Sequence, residues 1–144
     1  MRNEKILVVD DDATFRNFMA DLLSGEGYRT TSVMSGEEGL QKLKEERYDL
    51  AFLDLNLAGW VSGLDLLREA RRLYPEIKVI VCSALTDKGT AQEVLRLGAA
   101  KFIEKPIEAL GWFLDTTKGI LKGGLLGEET DRSIPERDAK QDCP

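Results

Sequence analysis

Five polar side chains stand where apolar runs end. Asp10 and Asp11 follow Ile6-Leu7-Val8-Val9, Asp54 follows Leu50-Ala51-Phe52-Leu53, Ser83 follows Val79-Ile80-Val81-Cys82, and Lys105 comes just after Phe102-Ile103. Three carboxylates, a hydroxyl and an ammonium brought to one place make a magnesium and phosphoryl site. Carboxylates held that close raise at least one pKa, and a divalent cation removes the conflict. Magnesium takes oxygen ligands in octahedral geometry and keeps several waters, so one or two carboxylates with a backbone carbonyl suffice. Asp54 ends the central run, where a nucleophile should sit: a carboxylate can attack phosphorus and form an acyl phosphate. The metal would neutralise charge on the transferring group. Lys105 adds a compact cation suited to phosphate or carboxylate, and Pro106 behind it restricts where that side chain projects. Each residue alone has a plainer reading. Acids after strands are often helix N-caps, the role expected of Asp12; most lysines are surface residues, and serine after a strand is commonplace. Asp10, Asp11 and Asp54 taken together favour the metal site.

For these residues to meet, the elements between them must form a parallel sheet. Short β-branched and apolar runs separated by helical patterns read as parallel strands of an α/β sheet, and such sheets gather their working groups at the carboxyl ends of the strands. After the first strand, Phe15, Phe18, Met19, Leu22 and Leu23 line one helix face, which Gly25 and Gly27 end. A short strand over Arg29 to Val33 follows. Ser35 and Glu38 form a capping box opening a second helix that carries Leu40 and Leu43. The third strand is Asp49 to Leu53, and a loop with Gly59 and Gly63 leads to a third helix with Leu66, Leu67, Ala70, Leu73 and Tyr74, stopped by Pro75. The fourth strand is Lys78 to Cys82, with a helix carrying Ala91, Val94 and Leu95 behind it, broken by Gly98. The fifth is Lys101 to Glu104. A last helix is expected to start after Pro106, a favoured first-turn residue, with Leu110, Phe113, Leu114, Thr117 and Leu121. Five such units with short connections imply right-handed crossovers and a doubly wound sheet. No internal repeat is present.

Composition narrows the function classes. A chain of 144 residues suits one domain with a real core, and 42% hydrophobic with 32% charged residues is ordinary for a soluble globular protein. The net charge of -6 argues against direct nucleic-acid binding, which needs clustered Lys and Arg. No apolar stretch approaches the roughly 20 residues of a membrane helix. Met1 to Lys5 runs straight into a strand, so no signal peptide is expected. Cys82, in a buried strand, and Cys143, near the end, do not look like a disulfide framework; cytoplasm is the default location. With no histidine, His ligation, His general-base catalysis and a phosphohistidine on this chain are excluded. From Gly123 to Pro144 the chain turns polar and reads as a mobile tail or linker stub.

The segment Val8-Val9-Asp10-Asp11, Asp54 after the third strand, Ser83-Ala84 after the fourth and Lys105-Pro106 after the fifth resemble the receiver domain of bacterial two-component response regulators, of the chemotaxis-regulator kind, over residues 4 to 122. Each motif is weak alone; four in order on the right strands are specific. The resemblance implies a flavodoxin-like five-stranded parallel sheet of order 2-1-3-4-5 with helices on both faces. It implies that Asp54 is the phosphoacceptor, taking phosphate from a sensor histidine kinase or phosphotransfer protein. Magnesium would be held by Asp11 directly, Asp10 largely through water, Asp54, and the backbone carbonyl of Asn56, while Ser83 and Lys105 would bind phosphoryl oxygens. Phe102 matches an aromatic switch whose ring turns inward, here by packing alone since it lacks a hydroxyl; a plain core phenylalanine is the alternative. Such a domain supports its own phosphotransfer and dephosphorylation without being a classical enzyme. Its expected reader is a downstream protein or output domain at the face of the fourth helix, fifth strand and fifth helix, with phosphorylation-dependent dimerisation a further mode. No output domain follows in this sequence, which implies a stand-alone regulator or part of a longer one.

Two departures concern the loop after Asp54. Ala58 stands where the family usually has proline, and the stretch Asn56 to Gly63 is one residue longer than usual. Trp60 in that loop is expected to anchor it rather than to meet a partner. Leu85, two positions beyond Ser83, could limit access for a hydrolytic water. Among competing readings, a haloacid-dehalogenase-type phosphatase needs an acid where this chain has Asn56, and a flavodoxin needs a non-acidic first loop. A pseudo-receiver, acting by surface alone, usually lacks a key residue that this chain keeps.

Overall fold

Three strands are apolar along almost their whole length and buried on both faces, as the interior of a parallel sheet requires: β1 (Lys5–Val9), β3 (Leu50–Leu53) and β4 (Lys78–Ser83). The other two, β2 (Arg29–Val33) and β5 (Lys101–Glu104), carry exposed polar residues and take the edges. The five strands run parallel in the order β2-β1-β3-β4-β5, as expected. The computed structural model describes residues 4–84 and 88–123; Leu85, Cys143 and the expected tail after Gly123 lie outside the described residues. Among the described residues no helix is long and apolar enough to cross a membrane.

Strand alternation sorts the core. Leu7, Val9, Ala51, Leu53, Val79 and Val81 point to one face, where they cluster with Leu43, Leu66, Leu67, Ala70 and Val94. These last five come from α2 (Gly36–Glu45), α3 (Gly63–Leu73) and α4 (Lys88–Arg96). Ile6, Val8, Leu50, Phe52, Ile80 and Cys82 alternate to the other face and are also buried, and α1 (Ala13–Gly25) contributes buried Met19 and Leu23. The order reverses direction between β2 and β3, and right-handed crossovers then send α1 and α2 to opposite faces. Tyr74, capping α3, donates its hydroxyl to the Leu43 carbonyl of α2 at 2.8 Å. This sheet and its four helices form one unit ending at Pro106; α5 (Leu110–Leu121) belongs to the next and buries Phe113 and Thr117.

Helix starts follow local chemistry, with three corrections. Asp12 caps α1 as expected, accepting from the Thr14 N–H at 3.0 Å. Ser35 caps α2 through the Glu38 N–H, but the Glu38 carboxylate returns to the N–H of Met34 rather than of Ser35. The full capping box lies at α3, where Ser62 and Asp65 exchange bonds of 3.1 Å. α5 begins at Leu110, not after Pro106; Ala109 precedes it without a side-chain cap, and the Lys105–Pro106 peptide is cis. In α4, Val94 is buried but Leu95 faces solvent.

Gly63 opens α3 where a Cβ would overlap the Asp54 carbonyl oxygen and stand 2.6 Å from Leu55 Cα. Backbone cannot yield as a flexible side chain can, so Gly63→Ala is expected to cost about 1–3 kcal/mol. Gly119, inside α5, has nothing within 4 Å of the same position, so Gly119→Ala should gain about 0.5–1 kcal/mol. Urea unfolding of both variants checks the contrast.

Candidate functional site

The carboxyl edge of the sheet brings distant residues into one row. Val9 pairs with Leu53 and Leu53 with Val81, so the residues that follow these strands come out side by side. Backbone bonds continue past the strands: Asp54 N–H to the Val9 carbonyl at 3.1 Å, and Lys105 N–H to the Ser83 carbonyl at 2.8 Å. Ser83 is the last residue of β4 rather than a loop residue.

All five residues picked out by their spacing meet there. Carboxylate oxygens of Asp10, Asp11 and Asp54 lie within 4.8 Å of one another. Asp10 is 1% exposed, Asp54 6% and Ser83 0%, whereas Asp11 faces solvent. Lys105 Nζ donates to Asp10 Oδ2 at 2.6 Å and to Asp54 Oδ2 at 3.2 Å. Asp54 Oδ1 accepts from the Ser83 hydroxyl at 3.1 Å and from the Asn56 N–H at 3.0 Å. Asn56 thus turns its N–H to the acidic group and is itself exposed. Phe102 is half-buried on β5 beside Val81, packed against the core.

Several contacts have no signal in the sequence pattern. Phe15, read as a core residue of α1, lies with its ring 4.2 Å from Lys105 Nζ, so the ammonium is held by an aromatic face as well as by two carboxylates. Asp12 N–H donates to Asp10 Oδ1 at 2.9 Å, and Arg16 Nη1 to the Asp10 carbonyl at 2.8 Å. Trp60 is 93% exposed, which overturns its expected role as a loop anchor: its indole lies outside the core, and it is the backbone N–H that is bound, by Glu37.

Charge in the site is unbalanced. Burial raises the Asp10 carboxyl above its ordinary value; Lys105 and the Asp12 N–H pull the other way, and Asp54 adds to the rise. Burial alone would lower the Lys105 ammonium, but the two carboxylates more than reverse that. Three acids against one ammonium, with one acid open to solvent, form a hard all-oxygen donor set that suits magnesium. The neighbouring Cys82 thiol is pushed up to about 12 by burial, so it is no nucleophile at neutral pH.

The family model of the response regulator receiver domain matches residues 6–110. The chain is 31% identical over 106 residues to chemotaxis protein CheY of Thermotoga maritima, covering 73% of this chain and 88% of that protein. It is 35% identical over 106 residues to transcriptional regulatory protein ZraR of Escherichia coli K12, covering 74% of this chain and 24% of ZraR. The chain thus spans about a quarter of the length of that relative. The crystal structure of a CheY-like response regulator receiver domain protein from Methanospirillum hungatei aligns with a TM-score of 0.79 at 30% identity, covering 84% of this chain and 95% of that one.

Because Asp10 holds its proton more tightly folded than unfolded, losing that proton costs stability as pH rises from the ordinary carboxylate range through the raised value. Asp10→Asn removes this cost. Without magnesium at pH 7 the variant is expected to melt above wild type, the gap closing as pH falls into the ordinary carboxylate range. An unchanged or lower midpoint at pH 7 would mean that the Lys105 pair outweighs burial.

Proposed function

The chain belongs to the response regulator receiver domain family, phosphoacceptor modules of two-component signalling, and from that premise we propose that Asp54 accepts a phosphoryl group from a histidine kinase or phosphotransfer protein. The carrying observation is that Asp10, Asp11 and Asp54 converge at one sheet edge with Lys105 bonded to two of them. Asp10, Asp11, Asp54 and the Asn56 carbonyl would hold magnesium. When bound, that ion neutralises charge on the transferring group.

The side chains divide the remaining work. An Asp54 carboxylate oxygen attacks phosphorus as the bond to the donor's imidazole nitrogen breaks, its electron pair returning to nitrogen. Lys105 exchanges its longer bond, to Asp54 Oδ2, for a phosphoryl oxygen and keeps the shorter one to Asp10. Ser83, now donating to Asp54 Oδ1, moves to the phosphoryl group. That shift frees space which the Phe102 ring can fill, so phosphorylation biases a pre-existing equilibrium between surface arrangements. A downstream protein, an attached output domain or a second copy of the chain reads the change. A histidine kinase donor sets the reaction in the cytoplasm, and the phosphoryl group leaves by the domain's own hydrolysis.

The haloacid-dehalogenase reading needs a second acid two residues past the nucleophile; Asn56 is an amide that neither gives nor takes a proton there. Intact mass after incubation with acetyl phosphate tests the proposal. Wild type should gain one phosphoryl group only with magnesium, Asp54→Asn should gain none, and Lys105→Ala should react about 100-fold more slowly. Failure of wild type under all conditions would point to a pseudo-receiver that works through its surface.

A further inference from the structure

Glu37, in the first turn of α2, reaches a separate part of the fold. Its Oε2 accepts from the Trp60 N–H at 2.5 Å and the Val61 N–H at 3.3 Å. The surroundings are shaped to this contact. Gly59 has a φ of +102°, and a Cβ there would lie 2.8 Å from the Glu37 carboxylate. A Cβ on Gly36 would overlap the Val61 carbonyl oxygen, so helix start and loop approach backbone to backbone. The Trp60 N–H above all, with Val61 and the residue's own N–H, holds the Glu37 carboxyl below its usual range.

The loop held in this way is the one that leaves Asp54. At its start the Asn56 N–H binds Asp54 Oδ1; at its end Gly63 lies against the Asp54 carbonyl. Leu55, Leu57 and Val61 pack on the core, but the tip has no such seat. Ala58 is small and exposed, Gly59 has no side chain, Trp60 points to solvent, and no proline stiffens the stretch. The carboxylate of Glu37 supplies the missing tether, and the Asn56 carbonyl lies between that tether and Asp54 along the chain.

We infer that Glu37 is a positioning residue whose carboxylate clasps the loop at Trp60 and Val61, fixes where the Asn56 carbonyl stands relative to Asp54, and so sets the magnesium affinity of the site. The inference rests on the magnesium reading given above. Glu37 would act through the loop backbone, bonded to Trp60 and Val61 and out of contact with the reacting atoms.

Calorimetric titration with magnesium chloride, paired with amide hydrogen exchange, tests this on the full chain as wild type, Glu37→Ala and Glu37→Gln. Glu37→Ala should bind magnesium about tenfold more weakly, the lower end of what losing the hydrogen bonds that orient ligands costs. Exchange at Trp60 and Val61 should rise roughly tenfold while β1, β3 and β4 keep their protection. Glu37→Gln retains an acceptor oxygen and should lose less in both readouts, which a merely destabilising change would not produce. Equal affinity in wild type and Glu37→Ala, or unchanged loop exchange, overturns the clasp alone. If wild type itself binds no magnesium, the metal reading falls and takes this inference with it.

Discussion

The structure depends on a repulsion that the fold enforces. Three aspartates are held at the carboxyl edge of a parallel sheet with carboxylate oxygens within 4.8 Å of one another, two of them in buried positions. Two unit charges at about 4 Å repel by ~4 kcal/mol at an effective dielectric of 20, a large share of the ~5–15 kcal/mol that stabilises a typical domain. Lys105 answers part of that cost, touching Asp10 and Asp54 together, and the N–H groups of Asp12 and Asn56 answer more. What remains is an excess of negative charge that a cation could offset. The exposed ion pairs elsewhere, such as Arg47 with Glu76, are worth about 0–1 kcal/mol each and could not offset such a cost. The buried strands and the helix faces over them must do so.

That division of labour explains where rigidity lies. β1, β3 and β4 supply adjacent buried ends, so Asp10, Asp54 and Ser83 inherit their places from a ladder of backbone bonds. Lys105 arrives from an edge strand and is steered by its partners: two carboxylates and the Phe15 ring. The loop after Asp54 has no ladder to follow. Its apolar residues sit on the core, and at its tip the Trp60 and Val61 N–H groups are bound by the Glu37 carboxylate.

Much of this is legible in the sequence because the signals are local and repeated. The apolar runs mark β1, β3 and β4 within a residue at either end, and Asp12 and Ser35 are recognisable caps. Asp10, Asp11, Asp54, Ser83 and Lys105 can be grouped from their spacing alone because a parallel sheet collects whatever follows its strands. The misreadings share a cause. Pro106 satisfies a first-turn rule, yet α5 waits until Leu110. Trp60 is large and apolar, which favours burial, but exposure is decided by neighbours distant in sequence. Glu37, Phe15 and Arg16 make contacts that helical periodicity does not encode, since periodicity says which face is apolar and not what that face meets.

Among the three clustered acids, Asp54 is the one proposed to carry the phosphoryl group. Reducing the phosphorylated protein with borohydride converts an acyl phosphate to an alcohol, and peptide mapping then locates the altered residue. Homoserine is expected at position 54, with Asp10 and Asp11 unchanged. Homoserine at position 10 or 11, or a phosphoryl group that survives borohydride, would contradict it.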